Sequence, residues 1–330
     1  MRIGFIGLGA MGLPMAGHLV DAGHTVTVAS RSRGPIEAAV GRGAVDGGSP
    51  RGVAETSDIV MLCVPNSPEV VDVVDAMLPV LGPGKTVVDC STIDPEVERA
   101  QHARVGQTGA WYLDAPLSGG TAGAQKGTLT LMVGGDADVL ARVRQAFEPF
   151  AGLVVHVGGP GMGQVVKLCN QVIYAAQMTA TAEATSMAIK SGVDMAKLYE
   201  VLTHATGDCV AVRTRLPVPG VVADSPASND WQPGFMTDLM AKDIDLATAY
   251  AARSGVPVPT TAAARQWLTA ASTAGYGRED FSALAKVVLD VAGAGCRLPR
   301  RCPHPPSSWR PTTAPAACSR WSGGTTTPGR

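Results

Sequence analysis

The sequence predicts an α/β protein, with a doubly wound parallel sheet in its first half and a second part that opens on one long helix. Three observations carry that reading. A short apolar run at the first residues leads through a glycine-rich turn into a helical pattern and then a second apolar run. Further runs rich in Val, Ile and Leu follow as far as about residue 160, most ending in a polar loop, as strands buried on both faces should. From Gln164 to about Lys190, apolar residues recur at helical spacing with no proline among them.

The first unit is the most explicit. Met1 to Ile6 reads as a buried strand, Leu13 to Val20 as a helix ending at Gly23, and Thr25 to Ala29 as the next strand. Between the first strand and the helix lies Gly7-Leu8-Gly9-Ala10-Met11-Gly12, a G-x-G-x-x-G in the strand–turn–helix context that the motif requires. Gly7 suits the tight turn, Gly9 lets backbone approach a pyrophosphate, and Gly12 lets the helix pack close to the strand. A phosphate would then meet the unsatisfied N–H groups of a helix N-terminus. The first domain, residues 1–162, is therefore expected to be a Rossmann-type NAD(P)-binding domain.

The end of the second strand bears on the choice of cofactor. NAD sites usually place an acid there for the ribose 2′-hydroxyl. Here the residues are Ala29-Ser30-Arg31-Ser32-Arg33, with no acid until Glu37. Ser30, Arg31 and Arg33 suit a 2′-phosphate, which favours NADP. NAD stays possible, with Arg31 stacked on adenine.

More strand–helix units follow. Ile59 to Val64 is a strand ending at Pro65-Asn66-Ser67-Pro68, Thr86 to Cys90 one ending at Ser91-Thr92, and Trp111 to Ala115 a third. Thr128 to Val133 and Val154 to Val157 complete the sheet. Ligands of open α/β sheets bind beyond the carboxyl ends of the strands. Val64, Pro65, Asn66, Thr92 and the loop Pro116-Leu117-Ser118-Gly119-Gly120 fall on that edge.

A glycine run from Gly158 to Gly163 fits a sharp turn into the long helix. Near the helix head, Lys167 and Asn170 are three apart and share a face, so an ammonium and a carboxamide would address one space. Taken alone, such a pair is an ordinary solvated turn, and Ser118-Gly119-Gly120 an ordinary loop. The dinucleotide motif upstream turns both into candidates for chemistry.

Composition narrows the classes of function. With 330 residues, 45% hydrophobic and 17% charged, the chain can bury the cores of two soluble domains. A net charge of −1 points to neither nucleic acid nor membrane. Seven cysteines without C-x-x-C spacing suit reduced thiols, and no histidine cluster suggests a metal. Arg2 and the apolar stretch to Leu19 resemble a signal peptide, but the glycines at 4, 7, 9, 12 and 17 and Pro14 fit the turn and helix better. A cytoplasmic protein is expected.

The last residues differ from the rest. Residues 293–330 hold six of the 27 Lys and Arg, with seven prolines, three cysteines and no acid, leaving 21 basic against 28 acidic residues in the body. Such a segment cannot form a packed core and is expected to be a dispensable, disordered tail.

Four separated motifs bear a family resemblance. Gly7 to Met15, Asp114-Ala115-Pro116-Leu117-Ser118-Gly119-Gly120, Gly163 to Gln171 and Lys242-Asp243 together resemble the β-hydroxyacid dehydrogenases. Pro217 to Val221, Pro226 to Asp230, Gly234-Phe235 and Leu239 to Asp243 look most like the 3-hydroxyisobutyrate dehydrogenases among them. The match runs from residue 1 to about 290. It implies an all-helical domain over 163–292, serving substrate binding and dimerisation, and a homodimer or homotetramer. It also implies Lys167 as catalytic acid/base, Asn170 as its substrate-orienting partner, and Ser118, Gly119 and Gly120 as a cradle for a substrate carboxylate. Asn66 and Thr92 would lie near the nicotinamide, with Lys242 reaching the cofactor from the helical domain. Asp243 would orient Lys242 or border the substrate. Ser30-Arg31 departs from the family, which often carries an acid there.

The function so implied is NAD(P)-dependent interconversion of a short 3-hydroxy acid and its semialdehyde. A tartronate semialdehyde reductase is the nearest alternative. An imine reductase of the same architecture usually lacks the helix lysine, and a non-catalytic cofactor-binding module would not need Lys167, Asn170 and Ser118 together.

Overall fold

The computed structural model describes residues 1–293. Its first part alternates strands and helices: β1 (Arg2–Ile6), α1 (Gly12–Asp21), β2 (Thr25–Ala29), α2 (Arg33–Gly41), β3 (Val45–Asp46), α3 (Pro50–Thr56), β4 (Ile59–Leu62), α4 (Ser67–Met77), β5 (Thr86–Asp89), α5 (Pro95–Gly106) and β6 (Trp111–Asp114). Then come β7 (Leu117–Ser118), α6 (Gly120–Lys126), β8 (Leu129–Gly134), α7 (Ala137–Val143) and β9 (Ala151–Gly158). From α8 (Met162–Lys190) onward the described residues are helical: α9 (Met195–Leu202), α10 (Val210–Arg215), α11 (Thr237–Arg253), α12 (Pro259–Ala271) and α13 (Leu284–Val291). Apart from Gly293, the expected tail lies outside the described residues.

The strands form one sheet in the order β3-β2-β1-β4-β5-β6-β8-β7, with β9 also paired to β8. The run from β3 to β6 is parallel, with Ile3 opposite both Val26 and Ile59. Strand order reverses direction at β1 and β4, so the crevice between their carboxyl ends is the switch point where doubly wound sheets bind ligands. Both faces are covered. One buries Phe5, Met15, Leu19, Met61 and Leu113, the other Val60, Leu62, Val74, Met77 and Tyr112. That explains why β4 reads as an uninterrupted apolar run.

The helical part packs around α8. Its buried positions Lys167, Gln171, Ala175, Met178 and Ala182 recur every three or four residues. They meet a core of Met240, Ile244, Leu268, Phe281, Leu284 and Val288 from the later helices. At 29 residues, α8 spans about 43 Å and links the sheet to the helical part without a break.

Most sequence-derived elements form, with shifted ends. The long helix starts at Met162, two residues before the expected Gln164, because Gly161 takes a left-handed φ of 78° and caps it. The last strand is longer than Val154 to Val157, since β9 pairs with β8 over its whole length through two irregularities. The helical pattern from Asp280 begins with a 3-10 turn, Phe281–Ala283, capped by Asp280, and only then becomes α13.

Candidate active site

The glycine turn leaves β1 at the switch point. Gly7 has a φ of 97°, and a Cβ there would fall 2.2 Å from the Cys63 carbonyl oxygen. A Cβ on Gly12 would fall 1.9 Å from the carbonyl of Gly7. Neither position tolerates a side chain. Gly9 differs, because a Cβ there meets nothing within 4 Å. The turn thus presents open backbone beside α1, whose first turn carries no side-chain cap. A dinucleotide's phosphates fit there, with Leu8, Gly9, Ala10 and Met11 leading into the helix.

At the end of β2, the Ser30 hydroxyl accepts from the Leu8 amide at 3.4 Å and ties the turn to the neighbouring strand. The two arginines there are not equivalent. Both are exposed, but Arg33 donates to Asp46 at 2.7 Å and lies 3.4 Å from Glu37, whereas no ion pair of Arg31 is found among the described residues. Asp46, on β3, was not legible as Arg33's partner because the two are brought together only by the sheet.

Beyond β4 and β5, the loops carrying Val64, Pro65, Asn66 and Thr92 are pinned at their bases. The Val64 amide donates to Ser91 Oγ at 3.0 Å, and the Ser91 amide to Asp89 at 2.8 Å. Burial pushes the Cys63 thiol up to about 12, so it stays an inert thiol. From the helical part, Lys242 on α11 donates to the carbonyls of Pro65 at 3.0 Å and Thr92 at 2.6 Å. Its ammonium also lies 3.1 Å from Asp243. Lys242 is no solvated surface lysine, and its side chain is only 20% exposed.

Lys167 sits on the first turns of α8, buried, with Nζ donating to the Leu117 carbonyl at 2.8 Å. Leu117 immediately precedes Ser118, so the ammonium is anchored beside the Ser118-Gly119-Gly120 loop. Gly119 and Gly120 have φ of 132° and 61°, conformations that favour glycine. Burial lowers the Lys167 pKa below the ordinary lysine value; Asp243 opposes that shift and Lys242 adds to it. Asn170 is half-buried and donates its amide to Gln171 Oε1 at 3.0 Å. Gln171 in turn donates to Asp243 at 2.7 Å. A chain of polar contacts therefore runs Asn170–Gln171–Asp243–Lys242, linking α8 to α11 and on to the sheet loops.

Beneath the head of α8 lies a buried polar cluster, in which Asp114 and Gln164 belong to the motifs quoted above while Glu98 and Tyr112 carry no evident sequence signal. Asp114, at the end of β6, accepts from the amides of Gly161 at 2.8 Å and Gln164 at 3.1 Å. Gln164 donates to Glu98 at 2.7 Å and to the Ser91 carbonyl at 2.8 Å, and accepts from the Ile93 amide. The Tyr112 hydroxyl donates to Glu98 at 2.7 Å and contacts Asp89 at 3.3 Å. Burial and mutual repulsion push Asp89 up to about 6 and Glu98 well above the carboxylate range. The cluster fixes the starting point of the helix that carries Lys167.

A parallel sheet with an open glycine turn at its switch point, faced by a buried lysine and a glycine cradle, defines a nicotinamide-dependent oxidoreductase acting on a CH–OH group. The comparisons agree. Residues 2–158 match the model for the NAD binding domain of 6-phosphogluconate dehydrogenase. Residues 161–288 match that for the NAD-binding domain of NADP-dependent 3-hydroxyisobutyrate dehydrogenase. A probable 3-hydroxyisobutyrate dehydrogenase of Mycobacterium bovis is 41% identical, over 88% of this chain and 99% of its own. The NAD-dependent L-serine dehydrogenase of Pseudomonas aeruginosa is 39% identical, over 88% of this chain and 99% of its own. A solved structure of Mycobacterium tuberculosis 3-hydroxyisobutyrate dehydrogenase with L-serine superposes with a TM-score of 0.82 at 39% identity, covering 87% of this chain and 98% of the other. The chain belongs to the β-hydroxyacid dehydrogenase family, and within it is similar to 3-hydroxyisobutyrate dehydrogenases and to an L-serine dehydrogenase.

Proposed function

We propose that this chain interconverts a short 3-hydroxy acid, of the size of 3-hydroxyisobutyrate or serine, and its semialdehyde, with Lys167 as the acid/base. The observation that carries the reading is the buried Lys167 ammonium held by the Leu117 carbonyl, one residue from the Ser118-Gly119-Gly120 loop. An ammonium has three donors, and this contact uses one of them. Another is left for the substrate oxygen, while Ser118 Oγ and the glycine amides supply neutral donors to a carboxylate.

When bound, the cofactor supplies or accepts the hydride. Gly7 to Gly12 hold its phosphates, and Val64, Pro65, Asn66 and Thr92 border its nicotinamide half. Lys242, tied to the Pro65 and Thr92 carbonyls, fixes those loops rather than carrying the reaction. In reduction, the Lys167 ammonium gives a proton to the oxygen of the former aldehyde. In oxidation, the neutral amine takes the hydroxyl proton as the hydride leaves carbon. A lowered pKa makes both forms available closer to neutral pH. Asn170 orients the substrate from the next turn of α8, with Gln171 and Asp243 holding it in register.

NADP is the favoured cofactor, through Arg31 and Ser30 rather than Arg33. Residues 1–162 form the cofactor domain and 163–292 the substrate and dimerisation domain of a homo-oligomer. The free thiols Cys63, Cys90, Cys169 and Cys209 suit the cytoplasm. Steady-state assay of 3-hydroxyisobutyrate, serine, tartronate semialdehyde and a cyclic imine with both cofactors tests the reading. Turnover of the 3-hydroxy acids is expected, and turnover confined to cyclic imines would overturn it.

A further inference from the structure

At the far side of the glycine cradle, an arginine sits where none of the roles above requires a cation. Arg215 ends α10. Its guanidinium lies over the rings of Tyr174 and Phe281, at 5.5 and 5.4 Å, and Nε donates to Asp280 at 3.2 Å. Only 16% of the side chain is exposed. Tyr174 follows Lys167 and Gln171 along one face of α8, at positions 167, 171 and 174. Arg215 therefore borders the same face of the helix that presents Lys167.

Its outer end approaches the cradle through Gly234. Arg215 Nη2 is 2.9 Å from the point where a Cβ on Gly234 would stand. The Gly234 carbonyl in turn accepts from the Thr121 amide at 3.4 Å and lies 3.2 Å from a Cβ built on Gly120. The φ of Gly234 lies outside the left-handed region, so its backbone does not demand glycine. A missing side chain at that position makes room for the guanidinium.

Asp280 does not use up the guanidinium's donors. That buried carboxylate also accepts from the amides of Gly234, Phe235 and Ser282 and from the Ser282 hydroxyl. Arg215 has five N–H donors. Nε goes to Asp280, Nη1 makes a long 3.5 Å contact to Thr214, and no side-chain acceptor for Nη2 is found among the described residues. The guanidinium is held by its base and by two rings while its tip lies at Gly234, whose carbonyl borders Gly120.

We propose that Arg215 is a specificity-determining residue that reads the substrate's carboxylate, adding a fixed positive charge to the neutral donors of Ser118, Gly119 and Gly120. This deepens the functional reading above and rests on it. Its consequence is a preference for free acids over neutral esters or amides of the same hydroxy compounds.

The test compares 3-hydroxyisobutyrate with its methyl ester in the unmodified chain and in three variants. Arg215→Leu should raise KM for the acid by about 10- to 100-fold, the worth of a hydrogen bond to a charged group. Turnover number and cofactor KM should stay within a few-fold, and the acid-over-ester preference should shrink in proportion. Arg215→Lys keeps a charge beside Asp280 but loses the planar fork, and should recover only part of the preference. Gly234→Ala leaves Arg215 and Asp280 in place and crowds only the guanidinium tip. It should shift the same preference in the same direction, and it serves if Arg215→Leu does not fold. Equal losses on acid and ester, or a fall in turnover with KM unmoved, would overturn the proposal. An unmodified chain inactive on every 3-hydroxy acid would instead overturn the functional reading, a result visible before any substitution is made.

Discussion

Lys242 Nζ donates to the carbonyl of Thr92, 2.6 Å away and 150 residues earlier in the chain. With the Pro65 carbonyl as second acceptor, the contact ties α11 to two loops at the edge of the sheet. Lys242→Ala would leave both carbonyls and the buried Asp243 without their cation. It should lower stability by about 1–3 kcal/mol and raise the cofactor KM. Thermal melting with and without cofactor, alongside kinetics, checks this. Weakened cofactor binding with an unchanged melting temperature would show that the lysine acts on the cofactor and not through the loops.

Lys167 gives the largest kinetic expectation. Lys167→Ala should lower turnover by about 10²–10⁴-fold while cofactor affinity survives. Lys167→Arg should restore little, because a guanidinium does not deprotonate in this range. Burial lowers the lysine's pKa, so oxidation, which needs the neutral amine, should rise with pH with its midpoint below the ordinary lysine value of 10.5. Reduction, which needs the ammonium, should fall over the same interval. A pH–rate profile in both directions reads the two limbs. A common limb that persists in Lys167→Ala would assign the proton to another group.

Arg31 and Arg33 separate in their expected effects. Arg33 is already engaged by Asp46 and Glu37, so Arg33→Ala should change the choice of cofactor little. Arg31→Asp should weaken NADPH binding by about ten- to a hundredfold relative to NADH. Fluorescence titration of both cofactors checks this. An unmodified chain that binds NADH as tightly as NADPH would reverse the assignment.

The glycines of the first turn should also part company. A Cβ on Gly9 meets only open space, so Gly9→Ala should fold normally while losing roughly tenfold or more in cofactor affinity. A Cβ on Gly12 collides with the Gly7 carbonyl, so Gly12→Ala should cost about 1–3 kcal/mol of stability before any cofactor is added. Melting curves of the two apo variants distinguish them.

The buried acids predict an unusual pH dependence. Asp89 has a folded pKa of about 6, above its ordinary 3.8, so between those values the folded chain holds a proton that the unfolded chain has lost. Its contribution to stability is therefore complete below about pH 4 and lost as pH rises through 6. Asp89→Asn removes that titration. The variant should gain melting temperature relative to the parent as pH rises from 4 to 7. A difference independent of pH would mean that Asp89 is ionised in the fold throughout.

The order of strands and helices in the first half was legible because both of its signals are local. Apolar runs buried on two faces have no polar interruption, and the glycines at 7 and 12 mark a turn whose geometry few other residues permit. Lys167 and the Ser118 loop could be singled out as motifs. Their meeting through the Leu117 carbonyl could not, since a backbone acceptor has no sequence signature. The same holds for Glu98, which reads as one more helix acid on α5 until Gln164 and Tyr112 are brought onto it from residues far away. The ion pair of Arg33 was equally hidden, because its partner Asp46 lies on a strand of only two residues. Arg215 stands in a short helix, just outside the motif that begins at Pro217, and its surroundings depend on Gly234 and Asp280 far along the chain.

The Leu117 carbonyl and the Ser118 hydroxyl belong to adjacent residues of β7. On the proposed roles, proton donor and carboxylate seat are gauged from a single stretch of backbone, which rises only about 3.3 Å per residue. While the Lys167 ammonium stays on the Leu117 carbonyl, that stretch works as a ruler between the two groups. Its length is set by β7 and not by the packing of the later helices. Selection for a longer hydroxy acid would have to insert residues at β7, and widening the helical wall would not suffice.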